Sequence, residues 1–326
     1  MSTREFLFCR IIVFLQPRIF GNYGIINIDI FEITHDICYM SVINSYMMNG
    51  KGNFMDKVRR VERMVAMTKL LVDSPQKLIP LNYFCDFFGM AKSTVSEDLT
   101  CVRQSMEHFQ LGTLETVAGV AGGVRFIPHR KGAQANDILR DVQTRLMEPD
   151  RIIPGGFIYM SDILYDWHVM TRLGEIIMTR FMDRNPDYIL TVETKGIPLA
   201  VMVARAFNKP LVIARRDSKV TEGSAISINY VTGSSGRIQT MTLTKRAIPP
   251  NARVLIIDDF MKAGGTAKGL KELVVEMSGV VVGTGVLVAT AEPNPKLIDD
   301  YESLFTFYGI DENTKKINIE PVFDEE

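Results

Sequence analysis

The sequence predicts an α/β protein: a mostly parallel sheet with flanking helices, preceded by a small helical unit that ends in a β-hairpin. Three observations predict it. Four branched apolar residues, Val254, Leu255, Ile256 and Ile257, run into two acids and a glycine-containing loop that opens a helical pattern. Residues 187–192 read as a second strand, which turns through 193–196 into a helix starting at Ile197. Ahead of both, residues 58–127 hold three short helical patterns and a hairpin.

Taken in order, residues 1–54 are rich in Ile, Phe, Tyr and Asn and sustain no period. Residues 6–15 look like a short signal-peptide core, but Arg10 interrupts them and no small-residue cleavage site follows. The regular pattern starts directly after Met55, so residues 1–54 are read as a non-native or disordered leader and Met55 as the natural start. Residues 55–128 form the first domain. Val58, Val61, Val65, Thr68 and Val72 recur at helical spacing, and Pro75 limits that helix. Leu81, Phe84 and Phe88 mark a second helix closed by Gly89, and Val95, Leu99, Val102 and Met106 form one face of a third. The hairpin takes residues 114–117 and 124–127. Three helices and a hairpin make a winged-helix order, whose third helix enters the DNA major groove.

The polar start of that helix, Lys92, Ser93, Thr94 and Ser96, is the candidate base-reading face, although Thr94 and Glu97 also fit a plain capping box. Lys57, Arg59, Arg60, Arg103 and Arg125 are candidate phosphate contacts. Residues 55–130 hold ten Lys/Arg and eight Asp/Glu, a net of +2 in a chain whose formal charge is −1. Whole-chain charge therefore indicates neither nucleic acid nor membrane, and no apolar run reaches spanning length. The four cysteines, Cys9, Cys38, Cys85 and Cys101, show no metal or disulfide spacing, which points to a cytoplasmic protein. No metal site is assigned.

Residues 129–150 read as a linker, and 151–326 as the second domain. In an open α/β sheet, ligands sit at the carboxyl ends of the strands. A glycine-rich turn opening a helix surrounds a phosphate with N–H groups at the positive end of the helix dipole. The loop of Phe260, Met261, Lys262, Ala263, Gly264, Gly265 and Thr266 fits a 5′-phosphate. Asp258 and Asp259 would repel phosphate, so they suit sugar hydroxyls or a cation. Thr194, Lys195 and Gly196 form a second anion loop. Residues 215–246 alternate weakly and are rich in Gly, Ser, Thr, Arg and Lys, as expected of a hood that closes over a ligand. Arg215, Arg216, Lys219 and Lys245 are its candidate contacts, with Phe157 and Tyr159 as possible base contacts.

The stretch 254–266 closely resembles the phosphoribosyl pyrophosphate (PRPP) motif of type I phosphoribosyltransferases. With Ala91-Lys92-Ser93-Thr94-Val95-Ser96-Glu97-Asp98-Leu99, Thr194-Lys195-Gly196-Ile197-Pro198-Leu199-Ala200 and Lys219-Val220-Thr221-Glu222-Gly223-Ser224, the chain from Met55 to about residue 310 resembles the purine operon repressor family of Gram-positive bacteria. Pro154-Gly155-Gly156-Phe157-Ile158-Tyr159, Ser227-Ile228-Asn229-Tyr230 and Arg237-Ile238-Gln239-Thr240-Met241 add to the match, with Phe157 where a tyrosine is expected. The resemblance implies a winged-helix DNA-binding domain joined to a type I phosphoribosyltransferase-like sheet. It implies a repressor of purine biosynthesis genes that binds PRPP, with or without Mg²⁺, as effector and has no catalytic residues. Guanine nucleotides are expected as competitors for the same site, DNA as the partner, and a homodimer as the assembly. The alternative is an active purine phosphoribosyltransferase carrying a helical appendage. Such an enzyme needs a base pocket that aligns a ring nitrogen with the sugar carbon, and the attached winged helix favours the regulator.

Overall fold

The computed structural model describes residues 58–119, 122–216, 223–231, 238–311 and 313–323, so the expected leader lies outside it, as do Lys57 and Lys219. The first helix, α1 (Arg60–Asp73), stops ahead of Pro75. A short strand β1 (Ile79–Pro80) leads into α2 (Leu81–Phe88), which Gly89 closes in the left-handed conformation. Helix α3 (Lys92–His108) buries Val95, Leu99, Val102 and Met106, the face its spacing predicts. Strands β2 (Thr113–Val117) and β3 (Gly123–Ile127) pair antiparallel, and β1 adds to the other side of β3.

Helix α1 does not bury the face expected of it. Val61 and Val65 are 64% and 65% exposed, while Arg63, Met67 and Leu71 turn inward. The cause is Asp98 of α3, which is buried and pairs with Arg63 at 2.8 Å and with Arg60 at 2.9 Å. A paired guanidinium can occupy a core-facing position that an isolated one cannot.

The stretch expected to link the two modules carries α4 (Gly132–Leu146), whose Leu139, Val142 and Leu146 join the core of the large sheet. A small hairpin, β4 (Ile152–Ile153) with β5 (Phe157–Ile158), leads to α5 (Ser161–Leu164) and α6 (Trp167–Arg180). Then come β6 (Tyr188–Val192), α7 (Ile197–Phe207) and β7 (Leu211–Ala214). An antiparallel ribbon of β8 (Ala225–Val231) and β9 (Ile238–Thr244) occupies the expected hood. Strand β10 (Arg253–Met261), α8 (Gly265–Glu276), β11 (Val280–Thr290), β12 (Glu302–Asp311) and β13 (Lys316–Pro321) complete the described chain.

The main sheet has the order β13-β12-β11-β10-β6-β7, parallel except for the antiparallel edge strand β13. Along β10, Leu255 and Ile257 face a core shared with α4, α6 and α7, while Val254 and Ile256 face one shared with α8 and the ribbon. Burial on both faces explains the unbroken apolar run. Strand order reverses between β6 and β10: the chain steps outward from β6 to β7 and later from β10 to β11 and β12. A crevice opens outside the carboxyl ends of strands at such a reversal. The two loops singled out by the sequence leave these two strands.

Candidate functional site

At that crevice a pocket of about 410 Å³ is lined by both loops, including Thr194, Lys195, Asp258, Asp259 and the whole run from Phe260 to Thr266. Each loop opens a helix. Gly196 is the N-cap of α7, and Gly264, with φ +83°, is the N-cap of α8. A helix start leaves its first N–H groups without intrahelical acceptors, so two such ends facing one pocket offer two anion cradles. The phosphate loop is braced from behind. Leu297 donates its N–H to the Ala263 carbonyl at 2.9 Å, and the Thr290 hydroxyl donates to the Lys262 carbonyl at 3.1 Å.

The anion loop at 193–196 lies against the floor, and its Glu193–Thr194 peptide is cis. A Cβ at Gly196 would lie 2.6 Å from Thr191 Oγ1 and 3.2 Å from Asp258 Oδ1, so only glycine allows this approach. The Thr191 hydroxyl is fully buried and has no hydrogen-bond partner among the described residues. Asp258 is buried, and its Oδ1 accepts from the Asp259 N–H at 3.0 Å. Burial first, and then the neighbouring charge of Asp259, holds the Asp258 carboxyl well above the usual carboxylate range. Burial also raises Asp259, against the opposing effects of its bond with Asp258 and the charge of Lys195. This pair is costly to ionise in an empty pocket, and a cation or a pair of sugar hydroxyls would relieve the cost.

The hood side differs in detail from expectation. Arg216, Tyr230 and Gln239 line the pocket. The Tyr230 hydroxyl donates to Gln239 Oε1 at 2.9 Å, and the Arg216 N–H donates to Glu193 Oε1 at 2.7 Å, tying the hood base to the anion loop. Arg215 instead joins the ribbon to the sheet, exchanging backbone hydrogen bonds with Thr242 at 2.9 and 2.7 Å. Lys245 is exposed and off the pocket wall. Phe157 and Tyr159 are 62% and 46% exposed and do not line the pocket either. Arg216 is one of the expected hood cations, whereas Tyr230 and Gln239 lie in segments that carry the family resemblance but show no spacing that marks them as contacts.

On the winged helix, Lys92, Ser93 and Ser96 are exposed and Thr94 half-buried at the start of α3. The N-cap of that helix is Ala91, and no side chain caps it, so Thr94 and Glu97 do not form the alternative capping box. Arg59 is exposed. Three other candidate cations have internal partners: Arg60 pairs with Asp98, Arg125 pairs with Glu115 at 2.6 Å, and Arg103 donates to the Leu114 carbonyl at 3.0 Å and to the Thr116 hydroxyl. Among the described residues no group of three His, Cys, Asp or Glu side chains is placed to hold a metal ion, and no helix is long and apolar enough to cross a membrane.

A parallel sheet with two helix-opening loops and an acid pair at its reversal point defines a phosphoribosyltransferase-like domain, here joined to a winged helix. Residues 161–321 match the family model for the phosphoribosyl transferase domain, and residues 59–128 match the model for the bacterial purine repressor, N-terminal. The chain is 47% identical over 264 residues to the purine biosynthesis transcriptional repressor PurR of Bacillus subtilis (strain 168), covering 81% of this chain and 93% of that protein. It is 42% identical over 273 residues to the probable purine biosynthesis transcriptional regulator PurR of Streptococcus pneumoniae serotype 4, covering 83% and 99%. It is 38% identical over 263 residues to the purine biosynthesis transcriptional activator PurR of Lactococcus lactis subsp. lactis, covering 81% and 97%. The chain belongs to the bacterial purine repressor family.

Proposed function

We propose that this protein is a DNA-binding transcriptional regulator of purine biosynthesis genes, a repressor, whose phosphoribosyltransferase-like domain senses PRPP without transferring it. The observation that carries this reading is the pocket itself: an acid pair set between two helix-opening anion loops, in one chain with a winged helix. The ribose hydroxyls of PRPP donate to Asp258 and Asp259. Its 5′-phosphate meets the start of α8 and the Thr266 hydroxyl, and its diphosphate meets the start of α7 and Lys195. Mg²⁺ fits the same chemistry, since it takes one or two carboxylates together with phosphate oxygens. Asp258 and Asp259 would hold it there, and its charge would offset theirs.

On the winged helix, the start of α3, with Lys92, reads base edges, and Arg59 is an exposed cation for the backbone. A homodimer presents two such helices to paired half-sites. PRPP alters DNA affinity by binding the DNA-free form more tightly, as linkage requires. Guanine nucleotides carrying a diphosphate compete for the same loops. Calorimetric titration of PRPP with Mg²⁺ tests the assignment of the pocket. Saturable binding is expected in the parent and not in Asp258→Ala/Asp259→Ala, and guanine nucleotides should displace PRPP. Pyrophosphate released when purine bases are added would make the domain a transferase instead.

A further inference from the structure

We propose that Glu175 and Arg205 are coupling residues, through which the state of the anion loop reaches the DNA-reading helix of the same chain. The proposal rests on the ligand-sensing reading above and adds the route by which sensing acts. Helix α7 begins at Gly196, inside the anion loop, and the Ala200 N–H donates to the Gly196 carbonyl at 3.0 Å. Loop and helix therefore move as one piece. Arg205 lies nine residues further along the same helix, about 14 Å from the loop at helical rise. Its guanidinium donates to the Val72 carbonyl in the last turn of α1, at 3.3 Å.

Helix α6 runs beside α7 and is held close to it. A Cβ on Gly174 would lie 2.9 Å from Met202 Cβ and 3.1 Å from the Val203 nitrogen. The next residue, Glu175, is buried and accepts from Arg130 Nε at 2.6 Å, three residues past the last strand of the winged helix. One turn on, the Thr179 hydroxyl accepts the Arg130 N–H at 2.9 Å. Helices α6 and α7 thus both hold the winged-helix end of the chain, α7 at α1 and α6 at Arg130 just past β3. The winged helix passes a displacement on, because Asp98 locks α1 to α3 through Arg60 and Arg63. Every link from Gly196 through Arg205 to α3 is thus a covalent helix or a charged hydrogen bond, and the branch through the helix crossing and Glu175 reaches the chain just past β3. Packed elements joined this way shift as bodies.

Direct competition, in which DNA phosphates and ligand contend for the same cationic pocket, needs none of these contacts. The test uses the full chain and its Arg205→Met and Glu175→Gln variants. PRPP binding with Mg²⁺ is measured by calorimetry, DNA binding to a purine-gene promoter by fluorescence anisotropy, and their coupling as the ratio of DNA affinities without and with PRPP. Each variant is expected to bind PRPP as the parent does and to have its coupling ratio reduced by about 2- to 30-fold, the range for residues within a coupling network. Arg205 is exposed, so Arg205→Met is expected to leave the fold intact and decides the matter by itself. An unchanged coupling ratio in Arg205→Met would overturn the proposal. A parent that binds no PRPP would instead sink the sensor reading, a distinct outcome read in the first calorimetric trace.

Discussion

Replacing Asp258 by asparagine is expected to stabilise the ligand-free protein while weakening its response to PRPP. The carboxyl is 5% exposed, and burial next to Asp259 raises it well above the usual range. A carboxyl raised in the folded state ionises first in the unfolded chain. Its contribution to stability is therefore complete below the ordinary carboxylate range and is lost as pH rises through its folded value. Asparagine has the same shape and can still accept the Asp259 N–H through its Oδ1, so it removes this cost and leaves the packing in place. A gain of about 0.5–2 kcal/mol is expected, the usual yield of relieving one such site, or roughly 2–4 °C in Tm per kcal/mol. The same change weakens hydrogen bonds from sugar hydroxyls to a charged acceptor, about 1.5–3 kcal/mol, which lowers PRPP affinity on the order of 10- to 100-fold. Thermal unfolding of parent and variant from pH 5 to 8, each with and without PRPP and Mg²⁺, reads both effects. The ligand-free variant should melt higher, by a margin that widens with pH, and a given PRPP concentration should raise the parent more than the variant. A variant that melts lower at every pH, or keeps the full PRPP shift, would refute the argument from burial.

Three further predictions follow from the same geometry. Gly196→Ala forces a methyl against Thr191 and Asp258, so it should cost about 1–3 kcal/mol of stability and abolish PRPP binding, read by thermal shift and calorimetry. Asp98→Ala leaves the buried Arg63 without this partner and should destabilise by about 3–5 kcal/mol, with DNA binding lost at temperatures where the effector domain still binds PRPP. Arg59→Ala should weaken DNA binding at all sequences and reduce the slope of log affinity against log salt by about 1, leaving PRPP binding unchanged.

The parts of this architecture legible in the sequence are those written in contiguous residues. The strand, loop and helix start at 254–266 appear in the structure in that order, except that the strand runs on through the acid pair to Met261, so Phe260 and Met261 belong to it and not to the loop. Helix α3 buries the residues its spacing names because its other face is strongly polar. The inward face of helix α1 was not legible, although the helix and its stop before Pro75 were. A valine every three or four residues suggests an inward face, yet the partner that lets Arg63 turn inward lies 35 residues away. The hood shows the same limit over a shorter distance. Arg215 and Arg216 are alike as neighbouring cations, but in extended chain successive side chains point to opposite faces, and only Arg216 reaches the pocket. Tyr230 and Gln239 come together across the ribbon register, which the sequence does not specify.

The most direct test of the central claim is the affinity of the full chain for promoter DNA of purine-biosynthesis genes, titrated with PRPP and Mg²⁺, beside Asp258→Ala/Asp259→Ala. The account predicts specific binding by both proteins, weakened by PRPP in the parent alone. Specific binding that PRPP weakens equally in both proteins, or no specific binding by the parent, would contradict it.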